Sequence, residues 1–152
     1  MSRPRRPRKA RLADVQEVAA ALPHVLNRAD EDRPVYVVGG KTFVFFRSRR
    51  PDAFDPDTGE RYDDVIVLWV PDDETKQALV ADPRTPYFTT PHFKGHPSVL
   101  LRGSRIAELT RDEVAEMVQD AWLSRASARR GREFLASLTE GHPVFVVPGA
   151  QA

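Results

Sequence analysis

The chain reads as α+β: a two-layer α/β sandwich with helices packed on one face of an antiparallel sheet. Three observations predict this. Short β-branched and aromatic runs flank Gly39-Gly40, where glycine supplies the positive φ of a tight turn, so the strands either side run antiparallel. Helical periodicity brackets these runs in the chain. With 41% hydrophobic and 30% charged residues, 152 residues suit one domain with a buried core.

The elements follow in order. Residues 1–11 carry Pro4 and Pro7 among arginines, without periodicity, and read as a disordered basic arm. Leu12, Val15, Val18, Ala19 and Leu22 recur at helical spacing, and Pro23 stops that helix. Asp30-Glu31-Asp32 and Pro34 form a loop. Val35–Val38 and Thr42–Phe46 are the hairpin strands. Pro51, Pro56, Gly59 and a scatter of acids make 48–63 a long exposed loop. Asp64–Val70 is apolar enough for a central strand.

Pro71-Asp72-Asp73-Glu74 opens a helix to about Ala81, its acids complementing the dipole. An aromatic, proline-rich and histidine-rich loop follows, then a strand from Ser98 to Arg102. Thr110 and Glu113 make a capping box. The helix it starts runs to about Leu138, or bends near Ser124–Ser127. Residues 139–152 form a loose tail, in which Val144–Val147 is apolar enough for a further strand. The expected organisation is an arm over 1–11, a domain over 12–138 and a tail over 139–152.

Composition excludes several functions. There is no cysteine, hence no disulfide, thiolate metal site or cysteine nucleophile. No apolar run approaches the roughly 20 residues of a membrane helix. The basic start has no apolar stretch behind it, so it is no secretory signal, and a cytoplasmic location is expected. The net charge of +1 hides a split: Arg3, Arg5, Arg6, Arg8, Lys9 and Arg11 lie in the arm, leaving 17 basic against 22 acidic residues in the remaining body. Attraction to phosphate must therefore come from the arm or a local patch.

The residues Leu22-Pro23, Gly40-Lys41-x-Phe43, Phe88-x-Thr90-Pro91-His92-Phe93-x-Gly95, Val99-Leu100-x-Arg102 and Ala121-Trp122 occur in an order that resembles the MmcQ/YjbR family over residues 12–130. The loop is the most specific piece. The resemblance implies a frataxin-like (CyaY-like) sandwich and a DNA-binding label given by fold argument. The long 48–63 loop and the basic arm depart from the family pattern.

Candidate sites divide by chemistry. Gly39-Gly40-Lys41-Thr42 resembles the end of a P-loop, but Val35 stands where its first glycine belongs and a strand follows. His92 and His96 have metal spacing only on a helix, which Pro91, Gly95 and Pro97 oppose. Asp55, Asp57 and Glu60 fail the EF-hand register, because Gly59 holds its fifth position. No nucleophile elbow or triad is recognisable, so the chain reads as non-enzymatic and without a cofactor. Tyr87, Phe88 and Phe93 beside Lys94 either stack on bases or plug the core, with burial favoured for Phe88.

In the final helix Val114, Val118, Ala121 and Trp122 form an apolar stripe continued by Arg125, Arg129 and Arg132, with Arg130 alongside. These arginines are either solvated or a phosphate-binding overhang. The leading expectation is electrostatic DNA binding of low specificity through Arg3, Arg5, Arg6, Arg8, Lys94, Arg125, Arg129, Arg130 and Arg132. The alternative is a protein- or ligand-interaction module. Metal handling by the scattered acids is a third, weakly motivated reading.

Overall fold

The computed structural model describes residues 8–140. Five strands form one antiparallel sheet in chain order: β1 (Val25–Asn27), β2 (Val35–Val38), β3 (Lys41–Phe46), β4 (Val65–Trp69) and β5 (Ser98–Arg102). β1 has only three residues, too few to show alternation, and it pairs with β2 from Val25↔Val38 to Asn27↔Tyr36. At the β2–β3 turn, Gly39 and Gly40 have φ of 57° and 78°, as a type I′ turn requires. Val38 pairs with Lys41 across it, so this is a hairpin and not a phosphate loop.

Four α-helices complete the fold: α1 (Leu12–Ala21), α2 (Asp73–Ala81), α3 (Arg111–Arg125) and α4 (Ala128–Glu140). The expected capping box opens α3: the Glu113 amide donates to Thr110 Oγ1 at 3.1 Å, and the Thr110 amide donates to Glu113 Oε1 at 2.9 Å. A single helix to Leu138 is not what forms. Ala126 is extended (φ −66°, ψ 153°), which ends α3 at Arg125. Ser127 Oγ then accepts from the Arg130 amide at 3.2 Å, capping α4. The bend lets Phe134 turn back onto Trp122, with ring centroids 5.0 Å apart.

The end of the basic arm is also more ordered than expected. The Ala10 amide donates to the Leu109 carbonyl, and the Arg111 amide to that of Arg8. Ala10 is buried. Arg8 donates twice to Asp14, at 2.7 and 3.1 Å. These bonds fix residues 8–11 against the starts of α1 and α3. Arg3, Arg5 and Arg6 lie outside the described residues, as does the expected strand 144–147.

Strand register decides what each sheet face meets. Val44, Phe46, Ile66, Leu68, Val99 and Leu101 share one face; Phe45, Val67, Trp69, Leu100 and Arg102 share the other. α3 crosses β3 and β4 and packs on α1. The opposite face receives two loops: Tyr62 meets Arg102, and His96 meets Trp69. Every residue of β4 is therefore buried.

Both loops are built structures. In 48–63, Phe54 pairs with Arg61, and Asp55 Oδ1 accepts the Asp57 and Thr58 amides. Segment 86–97 first adds to the free edge of β5, Phe88 exchanging backbone bonds of 2.9 and 2.8 Å with Leu100. It then folds inward through a short 3-10 turn, Pro91–Phe93, burying Phe93. Lys76 of α2 clamps that turn: its ammonium, on a side chain 1% exposed, donates to the Phe93 carbonyl at 2.6 Å and the His96 carbonyl at 2.7 Å. Burial lowers the Lys76 pKa.

Lys76→Met keeps the apolar stem and removes both charged bonds. It should lower stability by about 2–3 kcal/mol in urea unfolding, because buried bonds to charged groups contribute about 1.5–3 kcal/mol. A variant as stable as the parent would show that the clamp is ornamental.

Candidate anion-binding cleft

Where β3 leaves the sheet, the chain must return over the face carrying Phe45. Arg47 has Phe45's parity, so it points under the loops. It is buried, and it donates to both Asp52 oxygens, at 3.0 and 2.6 Å. Its guanidinium lies 4.9 Å from the Phe93 ring centroid. Asp52 also accepts from Thr90 Oγ1 at 2.5 Å. One carboxylate thus ties the 48–63 loop to segment 86–97. Burial pushes the Asp52 carboxyl up, but the bonds from Arg47 and Thr90 outweigh it and hold the group below the usual carboxylate range.

Beside this tie opens a cleft of about 830 Å³. Phe45, Phe46 and Phe93 give it apolar walls; Arg33, Arg47, Arg50, His92 and His96 supply cationic or proton-donating groups. Asp52 is the single acid among its lining residues, and it is already bonded. Arg33 is half-buried and donates Nη1 to the Arg47 and Asp63 carbonyls. The exposed Arg50 side chain makes no hydrogen bond or ion pair with the described residues.

His96 sits deepest. Its ring lies edge-on to Trp69 at 4.8 Å and to Phe93 at 5.4 Å. Nδ1 is 2.7 Å from the buried Ser98 hydroxyl, leaving Nε2 for the cleft. Burial lowers the His96 pKa, and the charges of Lys76, Arg125 and His92 add to the effect. His92 packs on the other side of the turn, 5.1 Å from Phe93. Among the described residues no group of three His, Asp or Glu side chains is placed to hold a metal ion.

A second pocket of about 650 Å³ adjoins the first at Asp52, lined by Phe54, Tyr62, Phe88, Arg102 and Arg105. Its arginines are engaged: Arg102 bonds Asp64 at 3.0 Å and stacks 3.7 Å from Tyr62, and Arg105 bonds Glu108 at 2.6 Å. Of the two pockets, the first holds an arginine without a bonded partner among the described residues, Arg50.

Of the nine cations expected from sequence, the six among the described residues have separate surroundings. Arg8 is bound to Asp14. Arg125 donates Nε to the Thr42 carbonyl at 3.0 Å and lies 5.3 Å from the Trp69 ring, so it closes the sheet end and presents no overhang. Arg129 pairs with Glu133. Arg130 packs against the β2–β3 turn, its Nη1 3.1 Å from where a Cβ on Gly39 would stand. Arg132 is exposed on α4 and Lys94 at the cleft turn. The break at Ala126 destroys the single line of arginines. Phe88 is partly buried, Tyr87 and Phe93 fully, so the loop aromatics are plugs.

Sequence reasoning missed Arg33, Arg47, Arg50, Asp52 and Lys76. A signal existed for two: Arg47 continues the strand parity of Phe45, and Lys76 shares a helix face with Leu79 and Val80.

The mycobacterial relatives carry no functional name. The chain is 33% identical over 132 residues to the uncharacterized proteins Rv2570 of Mycobacterium tuberculosis (strain ATCC 25618 / H37Rv) and Mb2600 of Mycobacterium bovis (strain ATCC BAA-935 / AF2122/97). Each alignment covers 82% of this chain and 95% of the relative. No solved structure matches the chain at a significant level. The YjbR family model matches residues 16–124, which take in the sheet, the capped helix α3 and the whole clamped segment 86–97. The chain belongs to the YjbR family.

Proposed function

We propose that this protein is a non-enzymatic nucleic-acid-binding protein, and that DNA phosphates meet it at the mouth of the arginine–histidine cleft. One observation carries the reading: Arg50 and His92 line, with the exposed Lys94 two residues along the chain from His92, a cleft whose single lining acid is already paired, in a body whose acids outnumber its bases. Phosphate is a strong acceptor for guanidinium and imidazolium donors, and unmatched cations attract it most. The arm residues Arg3, Arg5 and Arg6 add charge. Arg125 and Arg129 contribute little, since neighbours occupy them. No base-reading element is recognised, so affinity is electrostatic and specificity low.

The cleft's size also favours a second reading, a small anionic ligand, because about 300–1,000 Å³ is usual for small-molecule sites. Competition by inorganic phosphate and by free nucleotide separates the two: a nucleotide that displaces DNA at micromolar concentration favours the ligand reading.

Two outcomes test the phosphate contact. If about five phosphates are neutralised, log affinity against log salt should fall with a slope of about −4.5 for duplex and about −3.5 for single strands. A chain beginning at Arg8 should give a shallower slope, and Arg50→Ala a further loss. A slope near zero with the full chain contradicts the proposal.

The second outcome concerns His96. Its pKa is lowered in the free protein, so stability should fall as pH drops below about 6.5, where the unfolded chain takes up the proton first. An anion in the cleft opposes this by favouring the imidazolium. NMR titration of His96 should therefore move upward when oligonucleotide is added, and an unmoved curve would place the phosphate elsewhere.

A further inference from the structure

The cleft is more than a ring of cations. A phosphate group needs donors and nothing else, yet the lining is largely apolar around three phenylalanines. Phe93 is buried beneath Arg47, but Phe45 is only partly buried although it lies on the central strand β3. Its cross-strand neighbour Val67 and that residue's neighbour Leu100 are both wholly buried. Phe45 is braced by Trp69, ring centroids 6.0 Å apart, and shares its sheet face with His96's partner Ser98 and with Arg47. A partly exposed aromatic surface, braced by Trp69, therefore lines the cleft with Arg50 and His92.

An aromatic floor flanked by arginine and histidine suits a flat, uncharged ring joined to an anion. A nucleotide base with its phosphate has that chemistry. In a duplex the base is paired and stacked inside the helix and cannot reach the floor without being extruded, at the cost of its pairing and stacking. Resting on the phosphate reading above, we propose that the cleft takes an unstacked base against Phe45, with the adjoining phosphate at Arg50 and His92, so that the ligand class is single-stranded nucleic acid. Any base fits such a floor, since every base offers a π-face, and little sequence preference follows.

Fluorescence anisotropy with the full chain at one fixed salt concentration tests this. Three probes are compared: a short oligothymidylate, an abasic strand with the same number of phosphates, and a duplex of the same length. The oligothymidylate should bind about tenfold more tightly than the abasic strand, the usual scale for one stacked base. It should also bind more tightly than the duplex, although the duplex carries the denser charge. Phe45→Leu, which keeps the apolar contact with Trp69, should abolish the difference between oligothymidylate and abasic strand while preserving the salt slope. Equal affinity for all three probes, with a steep salt slope, overturns the base-stacking inference and leaves the phosphate reading standing. No binding to any probe overturns both.

Discussion

The two loops on the second face of the sheet have little regular secondary structure to hold them, and side chains do much of the work. Lys76 grips the turn at Phe93 and His96 from α2. Asp52 joins Arg47 to Thr90 across the loops. Arg47 in turn lies over Phe93. The protein could have covered this face with a helix, as it covers the other with α3. It uses polar side chains instead, Lys76 and Arg47 buried and Asp52 partly so, each satisfied, and satisfied buried charges specify geometry more sharply than apolar packing does. The cleft is a consequence: where the loops stop, Phe45 and His96 are left beside Arg33 and Arg50.

That constraint also sorts the cations. Fixed partners neutralise Arg8, Arg102, Arg105 and Arg129, while Arg125 is held by a carbonyl and an aromatic ring. A count of basic residues therefore overstates what a ligand can meet. Charge that matters for binding is charge without an internal partner, and among the described residues the exposed Lys94 and Arg50 are in that state. Arg132 is exposed as well, but on α4, whose other exposed positions are mixed.

Much of the fold was legible because its signals are local. Gly39-Gly40 allows one kind of turn, and Thr110 with Glu113 closes a reciprocal cap that needs no distant partner. The unbroken apolar run of β4 announced a strand buried on both faces. The errors came from contacts between distant residues. Ala126 breaks the last helix because Phe134 gains a place on Trp122, a reward invisible to periodicity. Arg8 and Ala10 are ordered by the start of α3, a hundred residues away in the chain. The cleft was illegible for the same reason: Arg33, Phe45, Arg50 and His96 come from separate segments, and only the loop ties bring them together. The loop that carried the family resemblance did mark the right region, through its turn geometry and not its aromatic chemistry.

On this reading, ligand meets the protein at the cleft between residues 45–52 and 92–96. Amide and side-chain chemical-shift mapping on the full chain, titrated with a short oligothymidylate, tests it most directly. Shifts should concentrate at Arg33, Phe45 to Asp52 and His92 to Ser98, with α4 unmoved. Shifts confined to α4, or spread evenly over the surface, would contradict it.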